Sequence, residues 1–244
     1  MKRTFADLHL RANNKDPKHL TKIAGMAAEL GYRLVATPFF PETSQDEIRK
    51  VKKIFNDFGL DFASRTDIRP RHPDDLLPLL RKTRRRFEII CVLCEKKEIA
   101  RQAAKDHRVD LLNFPLLDYR DRFLDRAESE LASCGSAAFE VDMKPLLVLE
   151  GPPRIRFLST LRREIATALE FRLPIIISSG VSEVLFLRKP REMALFSSLF
   201  GLVGEAALDA VSSNPFDIVS RNRGKLAVGF VAPGIRIIKK GGDS

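Results

Sequence analysis

Phe87-Glu88-Ile89-Ile90-Cys91-Val92-Leu93 and, after a charged stretch, Val109-Asp110-Leu111-Leu112-Asn113-Phe114 are two short apolar runs rich in β-branched and large aliphatic residues. Between them, Glu95 to His107 is polar enough and long enough for one surface helix. A strand, a helix and a second strand at this spacing make a βαβ unit, whose two strands are parallel and joined by a right-handed crossover. The pattern repeats in both directions. Upstream, Phe5 to Leu8 reads as a strand. Asp16 then caps a helix with Pro17 at its first position, running towards Leu30 and stopped by Gly31. Leu34-Val35-Ala36 is a second short strand. Thr43 or Ser44 opens a helix with Ile48, Val51, Ile54, Phe55 and Phe58 at helical spacing and Gly59 as its stop. Leu60 to Ile68 is a third strand, and Pro73-Asp74-Asp75 opens a helix reaching Arg84-Arg85-Arg86. Downstream, Arg120 to Ser133 is helical, Ala137 to Asp142 is a sixth strand, Pro153 to Phe171 a long helix and Pro174 to Ser178 a seventh strand.

Seven such units predict a TIM-barrel-like α/β fold rather than an open doubly wound sheet. An open sheet that binds a dinucleotide calls for a glycine-rich turn after its first strand, and Leu10-Arg11-Ala12-Asn13-Asn14 has no glycine. Beyond the seventh strand, Pro190 to Phe200 and Gly204 to Ser212 read as extra C-terminal helices, and Pro215 opens a turn or helix towards Asn222. An eighth strand is missing or very short, and Ile235 to Ile238 reads as a terminal strand. The expected organisation is one barrel domain over 1-238 and a flexible tail over 239-244.

Composition narrows the function. Forty-two Lys+Arg stand against 32 Asp+Glu, a net charge of +10, which favours phosphate-rich partners. No apolar run approaches the length of a membrane span, and Met-Lys-Arg-Thr leading directly into a strand is not the start of a secretory signal. Cys91-x-x-Cys94 lacks a second pair of ligands at zinc spacing and lies in an apolar run. It reads as two buried thiols in a reducing compartment.

In a barrel of this kind the functional face is formed by the strand C-termini. There the sequence places Asp7 and His9, Thr37 and Pro38, Arg65 and Asp67, Asn113, Asp142 and Lys144, and Ser178-Ser179-Gly180. Asp7-x-His9 is a plausible opening for a divalent-metal site, but the next outward position is Arg11, and the chain has four histidines in all. One histidine, three aspartates and two cations are a poor ligand set. Asp7, His9, Asp67, Asn113, Asp142, Lys144 and the Ser178–Gly180 turn are therefore expected to hold the barrel mouth as structural or vestigial residues, with neither catalytic residues nor a bound metal in this chain. Two other readings stay open. One is a metal-dependent phosphoesterase with Asp7, His9, Asp67 and Asp142 as ligands. The other is an assembly protein whose basic faces bind acidic subunits. Asp118-Tyr119-Arg120-Asp121-Arg122-Phe123 reads as a protein-contact patch or a helix start.

The basic clusters carry more weight. Arg65, Arg69, Arg84, Arg86, Arg154, Arg188, Arg191, Arg221, Arg223 and Lys225 are the expected RNA-binding residues, because guanidinium groups bind phosphate bidentately. With no Trp and two Tyr, stacking on single-stranded bases is expected to matter less than recognition of a folded RNA by backbone and shape.

Several blocks resemble a known family. Arg108-Val109-Asp110-Leu111-Leu112-Asn113-Phe114-Pro115 is similar to the fifth-strand motif of the archaeal and eukaryotic ribonuclease P subunit called protein component three. So are Ile177-Ser178-Ser179-Gly180, Leu187-Arg188-Lys189-Pro190, Val211-Ser212-Ser213-Asn214-Pro215 and the stretch from Ile218-Val219-Ser220-Arg221-Asn222 to Lys225. Asp7-Leu8-His9 and Arg65-Thr66-Asp67-Ile68 fit as well, so the resemblance runs from about Phe5 to Lys225. It implies a barrel akin to the polymerase-and-histidinol-phosphatase metal hydrolases. Arg11 stands where those relatives carry the last His of their opening motif, and Ser-Ser-Gly where they carry Asp-x-His. It also implies a non-catalytic, RNA-binding role. In ribonuclease P the RNA subunit cleaves the 5′ leader from precursor tRNA using magnesium, and the resemblance implies that this chain supports it. The implied partners are the ribonuclease P RNA, the small protein component two, other ribonuclease P proteins and, indirectly, precursor tRNA, with no membrane. The implied location is the cytoplasm for an archaeal-type particle and the nucleus for a eukaryotic one.

Overall fold

A computed structural model describes residues 3–115 and 124–227, together with the backbone of 230–232 and 235–236. The mixed-sign patch at 118–123 and the tail at 239–244 lie outside the described residues.

Seven parallel strands follow one another in sequence order: β1 (Phe5–Asp7), β2 (Tyr32–Phe39), β3 (Asp61–Ile68), β4 (Ile89–Leu93), β5 (Leu111–Asn113), β6 (Ala138–Asp142) and β7 (Ile175–Ser178). The intervening helices are α1 (Pro17–Leu30), α2 (Gln45–Asp57), α3 (Pro73–Thr83), α4 (Lys97–Lys105), α5 (Arg126–Ser133), α6 (Lys144–Val148) and α7 (Gly151–Glu170). Their ends have local causes. Asp16 accepts from the backbone N–H of Lys18 and His19, and Gly31 ends α1 at φ 97°. Ser44 and Glu47 form a capping box at the start of α2. Helices α1 and α2 cover the outer face of the first strands with Ile23, Ala27, Val51 and Phe55, while Leu80, Ile99, Leu161 and Ile165 of later helices cover the rest.

Inside the barrel, Ala6, Leu8, Leu34, Ala36, Ala63, Ile89, Cys91, Leu111, Ala138 and Ile176 form an apolar layer. Strand alternation then turns Arg65, Asn113, Glu140 and Ser178 inward above it. The interior therefore grades from apolar at the strand starts to polar at the strand ends.

The expected shortage of an eighth strand is met in an unexpected way. α8 (Pro190–Phe196), a 3-10 turn, α9 (Gly204–Asp209) and α10 (Ser213–Leu226) follow β7. Between α9 and α10, Val211 O accepts from Ala6 N of β1 (2.9 Å) and Ala210 O accepts from Ile177 N of β7 (3.0 Å). Two residues thus stand in for a strand at the lower part of the gap. At the upper part, the chain leaving β1 and the chain leaving β7 bond each other directly, Gly180 N to His9 O (3.0 Å) and Arg11 N to Val181 O (2.9 Å). Helix α10 crosses beneath the barrel and adds Ile218 and Val219 to the interior layer. The expected terminal strand is a two-residue segment, β9 (Ile235–Arg236), antiparallel to β8 (Phe230–Ala232). Among the described residues no helix is long and apolar enough to cross a membrane.

Candidate functional site

The strand ends bring together most of the residues expected there, around a cavity of about 380 Å³ lined by His9, Arg11, Asp67, Arg69, Asn113 and Asp142, among others. At its floor lies Arg65, fully buried, on β3. Its Nε donates to Asp67 Oδ1 (2.6 Å), and its Nη1 to Leu8 O (2.8 Å) and Glu140 Oε1 (2.6 Å). Its Nη2 donates to Glu140 Oε2 (2.7 Å), completing a bidentate pair. Glu140 also accepts from Ser178 Oγ (2.7 Å) and Asn113 Nδ2 (2.9 Å). Each oxygen of this buried carboxylate therefore has at least two donors.

Above this pair sits His9. Its Nδ1 is 2.8 Å from Asp142 Oδ1, and its Nε2 is 3.2 Å from Asp67 Oδ2. Burial and the Arg65 charge disfavour the imidazolium, but Asp142 and Asp67 together outweigh them and bring the pKa up to about 10. Burial raises the carboxyls of Asp67 and Asp142. For Asp67, Arg65 and His9 more than reverse this, and for Asp142 His9 does so first, leaving both below their ordinary value. Asp7 differs. Its Oδ1 accepts from His9 N (3.0 Å) and Ser179 N (3.1 Å), while its buried Oδ2 has no partner. Burial is the largest influence on it and pushes its pKa up.

For a divalent metal this donor set is poor. One nitrogen of His9 and single oxygens of Glu140 and Asp142 lie within 4.8 Å of one another, a span a cation can bridge. Yet both oxygens of Glu140 are bound by the Arg65 guanidinium, and the two ring nitrogens of His9 face Asp142 and Asp67. Arg65 and His9 therefore offset part of the carboxylate charge that a metal would otherwise neutralise. The Ser178–Gly180 turn is equally engaged, since Ser179 N serves Asp7 and Gly180 N serves His9 O, so these N–H groups are closed to phosphate. Gly180 is required here, with φ 65° and only 2.7 Å between a Cβ built on it and Asp142 Cγ. Lys144 reaches Ser182 Oγ (3.3 Å) rather than an acid.

Most of the arginines expected on RNA are engaged within the protein. Arg65 is the clearest correction, because a fully buried guanidinium with two carboxylates on it cannot reach a phosphate. Three others, with Lys225, lie at the opposite end of the barrel. Arg84 donates to Asp110 Oδ2 (2.5 Å) and to the carbonyls of Phe87, Glu88 and Arg108. Arg221 donates to Asp110 Oδ1 (3.0 Å) and Ser136 O (2.9 Å). Arg223 grips Asp61 and Glu88. Lys225 is half-buried beside them, with its pKa lowered first by burial and then by Arg221. Arg86 holds the carbonyls of Pro41 (2.7 Å) and Thr43 (2.7 Å), Arg154 bonds Leu149 O, and Arg188 bonds the carbonyls of Leu185 and Leu187. Arg69 is paired with Glu95 (2.9 Å) yet 58% exposed, and the exposed Arg191 lies over the Phe5 ring.

Glu140 is the residue sequence reasoning missed. Its signal was present: it lies two positions before Asp142 on one strand, so both point to the same face. Cys91 and Cys94 are buried thiols, as expected, and burial raises both pKa values.

Fold and site together define a TIM-barrel-like scaffold whose strand-end acids are bound largely by the protein's own side chains. A putative prolidase from Bifidobacterium longum shares the fold, with a TM-score of 0.58 at 11% identity over 90% of this chain and 70% of that one. The agreement is closer with a chain of a cryo-EM structure of archaeal ribonuclease P with mature tRNA, at a TM-score of 0.82 and 24% identity, covering 98% of this chain and 100% of the other. The ribonuclease P protein component 3 of Methanosarcina barkeri is 27% identical over 248 residues, 97% of each chain. The family model described as RNase P subunit p30 matches residues 4–226, and the chain belongs to that family.

Proposed function

We propose that this chain is a protein subunit of ribonuclease P that supports a catalytic RNA in removing the 5′ leader from precursor tRNA and performs no chemistry itself. The observation that carries the reading is Arg65. In a barrel matched to this family over residues 4–226, the strand-end acids are bound by the protein's own guanidinium. Magnesium belongs to the RNA in this reading, and the chain holds no metal of its own. Its partners are the ribonuclease P RNA, protein component two and the other proteins of the particle, with precursor tRNA met indirectly. An archaeal-type particle of this kind works in the cytoplasm.

The RNA-facing cations are those the fold leaves exposed. Arg69 and Arg191 remain from the initial set, and Arg11, at the mouth rim, joins them. Placed between RNA segments, such cations reduce phosphate repulsion and so lower the magnesium needed to fold the RNA. The test is reconstitution of precursor-tRNA cleavage from RNA and proteins, with and without this chain, over a magnesium titration. The expected result is a lower magnesium midpoint with the chain present, and an unchanged midpoint overturns the proposal. Elemental analysis addresses the phosphoesterase reading: stoichiometric manganese or zinc, with hydrolysis abolished by Asp7→Ala, would restore it.

A further inference from the structure

Beside the mouth lies a second cavity, of about 550 Å³, whose lining includes Arg11, Asn14, Lys15, Phe40, Glu47 and Val51. Its size falls within the range of small-molecule sites, about 300–1,000 Å³. None of the functions above uses it.

Three features of this cavity point to the same class of ligand. Phe40 is 76% exposed, because Phe39 beside it packs edge-on against Phe62 and strand alternation turns the next ring outward. Asn14 donates its Nδ2 to Pro38 O (2.8 Å), which leaves Oδ1 shielded from water with no partner. Arg11 and Lys15 are exposed, and neither makes an ion pair among the described residues. A flat apolar face, an unsatisfied acceptor and two exposed cations match a nucleobase ring, an exocyclic amino group and a phosphate. Glu47, the acid in the lining, has its Oε2 held by Ser44 N (2.9 Å) and Ser44 Oγ (2.8 Å).

The cavity is also preformed. On one side, Leu10 N bonds Ala36 O (2.9 Å), Arg11 N bonds Val181 O (2.9 Å) and Lys15 N bonds Asn13 Oδ1 (3.2 Å), fixing the loop that carries the cations. On the other, the Arg86 guanidinium clamps Pro41 O and Thr43 O, fixing the loop that carries Phe40. A site held from both sides loses little entropy on binding. Arg11 lines both this cavity and the mouth, where Arg69 and Lys144 continue the line of cations.

We propose that this cavity takes one unstacked nucleotide of the ribonuclease P RNA, its base against Phe40 and its phosphate at Arg11 and Lys15. The proposal rests on the reading of the chain as an RNA-supporting subunit.

The chain has no tryptophan, so Phe40→Trp installs a single fluorescent reporter at the site. Titration of this variant with full-length ribonuclease P RNA is expected to quench its emission saturably. Phe40→Ala is expected to weaken RNA binding by about five- to hundred-fold, the range for loss of one stacked base. It should do so without changing the salt dependence, whereas Arg11→Gln and Lys15→Gln each reduce the salt slope by about one. RNA binding that proceeds normally with no quench and no loss in Phe40→Ala overturns the nucleotide site and leaves the subunit reading intact. Quenching by the other protein subunits without RNA also overturns it, making the cavity a protein contact. Failure of the wild-type chain to bind the RNA at all sinks the underlying reading instead. Circular dichroism of each variant separates a binding defect from a folding defect.

Discussion

Arg65 is a cation built into the barrel where solvent cannot reach it, held by Asp67, Glu140 and a backbone carbonyl. Removing one partner of such a pair leaves the other charge buried and uncompensated. Arg65→Met is therefore expected to cost about 3–5 kcal/mol in urea unfolding, and the double variant with Glu140→Gln should recover much of that loss. A double variant no more stable than the single one would refute this account. His9 makes the pH dependence specific. Its pKa rises from an ordinary 6.5 to about 10 on folding, so its contribution is complete below 6.5, declines above it and is gone past about 10. Asp67 and Asp142, both lowered, contribute above the ordinary carboxylate pKa and lose that contribution as pH falls through their folded values. Denaturation midpoints measured from pH 6 to 10 should fall for the wild-type chain and much less for His9→Gln. At this scale the sequence was half legible. It placed Asp7, His9, Asp67, Asn113 and Asp142 around one mouth, because strand ends converge there. It did not show which acid takes the arginine, since Arg65 and Glu140 meet only when β3 and β6 face each other across the barrel.

Among the elements, α10 does the work that a final βα unit does in a complete barrel. Arg221 and Arg84 share the two oxygens of buried Asp110, and Asp110 Oδ2 also accepts from Ile90 N (2.8 Å). Asn222 donates to Glu88 O (2.8 Å), and Arg223 bonds Asp61 and Glu88. The helix is thus fastened to the starts of β3, β4 and β5 by charge as well as by Ile218 and Val219. Asp110→Asn should cost about 2–3 kcal/mol, less than a fully buried pair because both arginines are partly exposed. Arg188→Gln should lie within about 0.5 kcal/mol of wild type. Equal losses in the two variants, measured by chemical denaturation, would count against this assignment. The seven units were readable from their punctuation: Asp16 and Ser44 as caps, Gly31 and Gly59 as stops. The closure of the barrel was not, because Ala210 and Val211 make one bond to each neighbour and no pattern of two residues announces a strand.

Across the whole molecule, the surplus charge of +10 is less available than its total suggests. Arginines at the lower end of the barrel neutralise the protein's own acids, while Arg11, Lys15 and Arg69 remain exposed around the mouth and its neighbouring cavity. Filter binding of the RNA over a series of potassium chloride concentrations should show a strong inverse salt dependence. Arg69→Gln should lower the slope by about one, and Arg221→Gln should leave it unchanged while lowering stability. Equal effects on the slope would mean that burial does not decide which arginines meet phosphate. The Ala210–Val211 insert has a further consequence, for the order in which the chain is made. Until that segment emerges from the ribosome, the lower parts of β1 and β7 are two open sheet edges with unpaired backbone groups. Arg3, through Asp209 (2.6 Å) and Ser212 (3.0 Å), draws two distant parts of the chain to the same seam. Closure by contacts of such long range is slow to form, so synthesis leaves an interval in which a nearly complete barrel is still exposed to edge-to-edge association.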